Sequence, residues 1–120
     1  ARVGGGTPTA APSVEGPQVQ PLTFAAAGVP GRLHLVRLVH VPSRPSVEEV
    51  SVAGTFTGWA PDRISMQRQD GAFTAVLLLP EGSYEYMFVE DGDRWVTDPG
   101  AALTRDDGFG QRNAVLDLGV

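Results

Sequence analysis

Between Leu33 and Leu118 no stretch longer than nine residues lacks a proline or a glycine. An average helix needs about 11–12 uninterrupted residues, whereas a strand needs about five or six. Punctuation this close leaves room for strands and little else. LHLVRLVHV (33–41) is rich in β-branched and aliphatic residues and ends at Pro42 and Pro45. Val50 and Val52 alternate before Gly54. AFTAVLLL (72–79) puts Phe73, Ala75, Leu77 and Leu79 on one face, and SYEYMFVE (83–90) does the same with Tyr84, Tyr86 and Phe88. NAVLDL (113–118) closes the set. Gln69-Asp70-Gly71, Pro80-Glu81-Gly82 and Asp91-Gly92 are turn signals between them. Short strands at this spacing, with no stretch of helical period, predict an all-β antiparallel sandwich.

The first 22 residues, ARVGGGTPTAAPSVEGPQVQPL, have a different texture. They are mostly Gly, Pro, Ala, Ser and Thr without an apolar period, so they cannot bury enough surface to offset the entropy of ordering. We expect residues 1–22 to be a flexible, disordered linker and residues 23–120 to be the domain. The linker reads as a tether to a neighbouring domain or anchor, or as a frayed terminus. No basic start precedes an apolar run, so no signal peptide is expected. No stretch reaches the ~18 apolar residues of a membrane span.

Charge and residue types exclude several function classes. The net charge is −5, the wrong sign for neutralising phosphates, so neither nucleic acid nor an anionic membrane is an expected partner. With no cysteine there is no disulfide framework, thiolate metal site or Cys nucleophile. His34 and His40 share a face of one strand but sit about 20 Å apart, too far to ligate one metal. They read as packed or solvent-facing strand residues. Glu90, Asp91, Asp93 and Asp98 do not follow a calcium-loop pattern, and Asp91-Gly92 is already explained as a turn. A domain this small offers little cleft for a glycosidase carboxylate pair. No metal, cofactor or catalytic constellation is expected.

The two tryptophans stand apart. Trp59 closes GTFTGW (54–59) and Trp95 follows the Asp91-Gly92 turn, both beside Gly, Pro or Asp rather than inside an apolar run. Loop tryptophans can form a platform for the apolar face of a pyranose ring; plain packing is the other reading. Covering about half of an aromatic side chain is worth about 2–3 kcal/mol before ordering costs. Two rings then imply weak binding, on the order of micromolar to millimolar.

The order of the segments narrows this. VSVAGTFTGWAP, DGAFTAVLLLPEGSYEYMFVEDG, RWVTDP and DGFGQRNAVLDL, running from Val50 to Leu118, resemble the family 48 carbohydrate-binding modules. These include the glycogen-binding domain of the AMP-activated protein kinase beta subunit and the N-terminal domains of isoamylase and branching enzymes. The resemblance implies an immunoglobulin-like early-set sandwich that binds α-glucan without catalysis. It implies a glucan platform of Trp59 and Trp95, and Phe109, standing where the kinase-type module has a Leu, directed at the sugar. Asn113 and Gln111 would supply hydrogen bonds to hydroxyls, and Asp98-Pro99 would fix the second tryptophan. Three further positions depart from the kinase type: Met87 replaces a Lys, Ala114 a second Asn, and Phe56-Thr57 a Phe-Asn. The Asp91-Gly92 hairpin is also one residue longer.

A second reading comes from the strand at 72–79. Val76 and Leu78 should point away from the Phe73 face, which makes this strand apolar on both sides. Such a surface suits a neighbouring domain or a homodimer, and the domain would then be an interaction or spacer module. Exposure of Trp59 and Trp95 on one surface separates the two readings.

Overall fold

The alternation in the sequence becomes the inner faces of two antiparallel sheets in the computed structural model, which describes residues 16–23 and 32–119. The strands are β1 (Gln18–Thr23), β2 (Arg32–His40), β3 (Val50–Gly54), β4 (Ile64–Ser65), β5 (Gln67–Gln69), β6 (Ala72–Pro80), β7 (Gly82–Glu90), β8 (Arg94–Val96), β9 (Thr104–Asp106) and β10 (Arg112–Leu118). A 3-10 turn, Thr55–Thr57, follows β3. One sheet runs β1-β2-β6-β5. The other runs β9-β10-β7-β3-β4, with β8 also paired to β7. The expected all-β sandwich is therefore what the chain forms.

Inward residues of both sheets make the core. Val36 and Leu38 of β2 and Phe73, Leu77 and Leu79 of β6 meet Val50, Val52, Tyr86, Phe88, Leu116 and Leu118 of the larger sheet. Phe88 is fully buried, with the His40 ring 4.5 Å away and the edge of Tyr86 at 5.7 Å. Each such side chain contributes about 1.5–3 kcal/mol relative to exposure.

The turn signals do different jobs. Asp70 (φ 52°) and Gly71 (φ 82°) both take the left-handed conformation that a two-residue hairpin demands, and Gln69 pairs with Ala72 across it. The Pro80-Glu81-Gly82 step instead carries the chain from one sheet to the other, held by the Tyr84 hydroxyl donating to the Pro80 carbonyl at 2.8 Å. At Asp91-Gly92 the hairpin tip is pinned: Asp91 Oδ1 accepts the amides of Glu48 (2.9 Å) and Glu49 (3.0 Å).

Both histidines lie inside. His34 and His40 are buried, facing the other sheet. His40 Nε2 donates to Glu90 Oε2 at 2.7 Å, while the Ser43 amide (2.8 Å) and hydroxyl (2.5 Å) donate to the same carboxylate. Burial opposes the ionisation of Glu90. The hydrogen bonds from Ser43 and His40, with the charge His40 can carry, outweigh it and hold the carboxyl below its ordinary range. This cluster joins the end of β2 to the end of β7 and so ties the two sheets together.

The expected linker needs correction at its C-terminal end. Gln18–Thr23 forms β1, pairing antiparallel with β2 from Gln18↔Arg37 to Thr23↔Arg32. Strand pairing uses backbone groups and needs no apolar period, and Pro21 is tolerated because β1 is an edge strand. Residues 1–15 of that linker lie outside the described residues.

Candidate functional site

The larger sheet has a second, outward face. On β7 the residues between Tyr84, Tyr86 and Phe88 are Glu85, Met87 and Val89, which point away from the core cluster. Val89 pairs with Trp95 of β8 and Ala53 with Met87, so Trp95 projects on the same side as Met87. On the far side of β7, Asn113 follows in register beside Arg105 of β9. These strands and two loops enclose a depression of about 560 Å³, lined by Thr55, Trp59, Glu85, Met87, Trp95, Asp107, Phe109, Gln111 and Asn113. That volume lies within the range of small-molecule sites.

Trp59 reaches the depression through a strained turn. Gly58 (φ 64°) and Trp59 (φ 65°) are consecutive left-handed residues. Glycine adopts this conformation freely; for a bulky aromatic it costs about 1–3 kcal/mol, and such strain concentrates at binding sites. The Trp59 amide donates to the Gly54 carbonyl at 2.9 Å. Thr57 Oγ1 accepts the Gly54 amide at 3.2 Å and donates to the Gly54 carbonyl at 3.1 Å. Thr57 thus braces the turn from within and does not line the depression.

Trp95 is held from below. Asp98 lies three residues on and is buried; its Oδ2 accepts the Tyr86 hydroxyl at 2.5 Å and its Oδ1 the Gly100 amide at 2.9 Å. Burial first, then the charge of Asp98 and the hydrogen bond to it, push the Tyr86 hydroxyl far above its ordinary range, so it stays protonated and donating. The loop after β8 is in this way moored to the core residue directly beneath Met87.

Phe109 is displayed on a braced tip. Asp106 Oδ1 accepts the Gly108 amide (2.8 Å), and Asp107 Oδ1 accepts those of Phe109 (2.7 Å) and Gln111 (3.1 Å). Those bonds fix the loop backbone and leave the Phe109 ring 92% exposed. Trp59 and Trp95 are half-buried, and neither belongs to the core. Met87, only 3% exposed, forms the floor.

All five residues expected to contact ligand (Trp59, Trp95, Phe109, Gln111 and Asn113) are brought to this one depression, with Met87 beneath them. Their polar groups are arranged in a way the sequence did not reveal. Asn113 Nδ2 donates to Glu85 Oε1 at 3.0 Å, and Gln111 Nε2 to the Trp95 carbonyl at 3.0 Å. Each amide therefore commits one of its two N–H groups inward, and its carbonyl oxygen remains as an acceptor. Arg105 Nη1 lies 2.6 Å from Glu85 Oε2. Thr55, Glu85 and Asp107 are lining residues that sequence reasoning missed. The outward alternation of Glu85 with Met87 was the available signal for one of them.

Comparison with known proteins adds a family. A protein-family model described as the glycogen recognition site of AMP-activated protein kinase matches residues 44–119. The SNF1-related protein kinase regulatory subunit beta-2 of Arabidopsis thaliana is 39% identical over 71 residues, covering 59% of this chain and 24% of that protein. Protein PTST homolog 2, chloroplastic, of the same plant is 32% identical over 77 residues, covering 64% of this chain and 14% of the relative. The human 5'-AMP-activated protein kinase subunit beta-2 is 40% identical over 52 residues, or 43% of this chain and 18% of that subunit. The chain thus spans less than a quarter of each of these three relatives. Among solved structures, the enterobactin esterase FES from Shigella flexneri has a TM-score of 0.67 at 14% identity, covering 90% of this chain and 34% of that one. At that identity the likeness concerns the fold alone.

Proposed function

The chain belongs to the family of the AMP-activated protein kinase glycogen recognition site, and on that premise we propose that it binds α-glucan through the Trp59–Trp95 depression, without catalysing a reaction. The observation that carries this reading is the placement of both tryptophans outside the core, on one face, across an apolar floor. A pyranose has an apolar face and a rim of hydroxyls. Trp59, Trp95 and Phe109 offer surfaces for the first, and the oxygens of Asn113 and Gln111 accept hydrogen bonds from the second. Thr57 and Asp98 serve the site indirectly, by bracing the turn under Trp59 and the loop after Trp95. The site is preorganised by hydrogen bonds within its own loops, which lowers the ordering cost of binding.

Titration with maltoheptaose and β-cyclodextrin, followed by tryptophan fluorescence, tests the reading. The expected result is a saturable shift at micromolar to millimolar sugar that cellohexaose does not produce. No response to any α-glucan overturns it. A second reading, an interaction or spacer module, is favoured by one specific feature: Val76 and Leu78 are 58% and 51% exposed on the outside of the smaller sheet. That face suits a neighbouring domain or a second copy of the chain, and it is separate from the depression, so the two readings are compatible.

A further inference from the structure

The depression is rich in acceptors and carries carboxylates where an anionic ligand would need cations. Glu85 is half-buried beside Met87. Its Oε1 accepts from Asn113 and its Oε2 from Arg105, which uses two of about four lone-pair positions on a carboxylate that lines the depression. Asp107 adds a second carboxylate to the lining, with Oδ1 occupied by loop amides. No arginine or histidine among the described residues lines the depression, and the chain contains no lysine at all. The guanidinium of Arg105 is already paired with Glu85 at 2.6 Å. Arg94 precedes Trp95 but lines the neighbouring hollow, where it stands 3.8 Å from Glu90. Each of the two side-chain amides commits one of its two N–H groups inward, which halves the donors it can offer a phosphate oxygen.

Hydroxyls donate as well as accept, so a neutral sugar finds partners in such a site. A phosphate ester is acceptor-only and negatively charged. It would meet acceptors and two carboxylates at short range. Asp107 has no ion-pair partner among the described residues, and Glu85 is offset only by Arg105, a largely exposed cation that solvent screens, so like-charge repulsion remains.

We propose that Glu85 is a specificity-determining residue of this site, restricting it to uncharged glucan and rejecting glucan that carries phosphate esters. This rests on the glucan reading above and narrows its substrate class. Arg105 sets the orientation of the carboxylate, and Asn113 holds its other oxygen. Removing the negative charge at position 85 also releases Arg105, so one substitution both deletes a repulsion and frees a cation.

The test compares maltoheptaose with a maltoheptaose bearing 6-phosphate on internal glucose units, by calorimetry on the whole chain and on Glu85→Gln. The wild type is expected to bind the neutral sugar at least about tenfold more tightly than the phosphorylated one. In Glu85→Gln that ratio is expected to fall by about tenfold, mainly through a gain for the phosphorylated sugar. A merely structural role for Glu85 would weaken both sugars alike and leave the ratio unchanged. Equal binding of the two sugars by the wild type overturns this inference while leaving the glucan reading intact, as does an unchanged ratio in the variant. Failure of both sugars to bind overturns the glucan reading and this inference with it.

Discussion

The two outward faces of this sandwich are built by the same strand geometry and differ in everything else. The outer face of the larger sheet is concave: Met87 at the floor, aromatic rings and braced loops at the rim, oxygen acceptors between them. Outside the smaller sheet, Leu35 pairs across with Leu78 and Arg37 with Val76, giving a mainly aliphatic strip along two paired strands. Both faces expose apolar atoms to solvent. Only the first combines them with fixed polar groups and curvature. The lesson is that apolar exposure marks a surface, whereas loops locked by their own hydrogen bonds turn a surface into a site for a ligand with both apolar and polar faces.

The largest expected effect comes from emptying the first face. The double substitution Trp59→Ala with Trp95→Ala should abolish glucan binding, since each ring is worth about 2 kcal/mol or more, roughly 30-fold in affinity. Because both rings lie outside the core, the cooperative thermal transition should survive. Calorimetric titration with maltoheptaose checks the first part and circular dichroism the second; binding retained by the folded double variant would break the assignment of the site.

A smaller effect is expected from loosening what joins the two sheets. The Glu90 carboxyl is depressed in the folded state, so its stabilising contribution is complete above its ordinary value of 4.5 and is lost as pH falls through the lower, folded value. The melting temperature should drop in acid below that point. Glu90→Gln should be less stable at pH 7 by about 1–3 kcal/mol and should show a shallower loss in acid. Glucan affinity of the folded fraction should not change. A matching loss of affinity would mean that the concave face depends on the contact between sheets and not on its own loops.

The smallest effect belongs to the second face. Val76→Thr with Leu78→Thr places β-branched side chains at both positions and removes exposed aliphatic surface, so stability should move by no more than about 0.5 kcal/mol. Sugar affinity should stay the same. A weakened response to maltoheptaose in this variant would show that the two faces communicate, and the contrast between them would fail.

How much of this was legible beforehand depends on the range of the interaction. Period-two alternation is local, so the inner residues of β6 and β7 could be read directly, as could the outward direction of Val76 and Leu78. Left-handed turn positions are local too, and Asp70-Gly71 and Asp91-Gly92 declare them. The strand at Gln18–Thr23 was not legible: it mixes polar and apolar residues, contains Pro21, and exists because the edge of β2 offers its backbone groups. The short strands β8 and β9 are of the same kind, three residues each, defined by their neighbours.

The sequence by itself determined an all-β chain, which residues face inward, and, through a resemblance spread over some 70 residues from Val50 to Leu118, the family and the residues to inspect. Only the tertiary structure decided what those residues' polar atoms do. Asn113 spends one N–H on Glu85 and Gln111 one on the Trp95 carbonyl, Arg105 is drawn to Glu85, and Asp98 is moored to Tyr86. The partners in these contacts lie 28, 16, 20 and 12 positions apart. Which way a side-chain amide turns is set by the register of neighbouring strands, and that register is a property of the paired sheet, not of either strand alone.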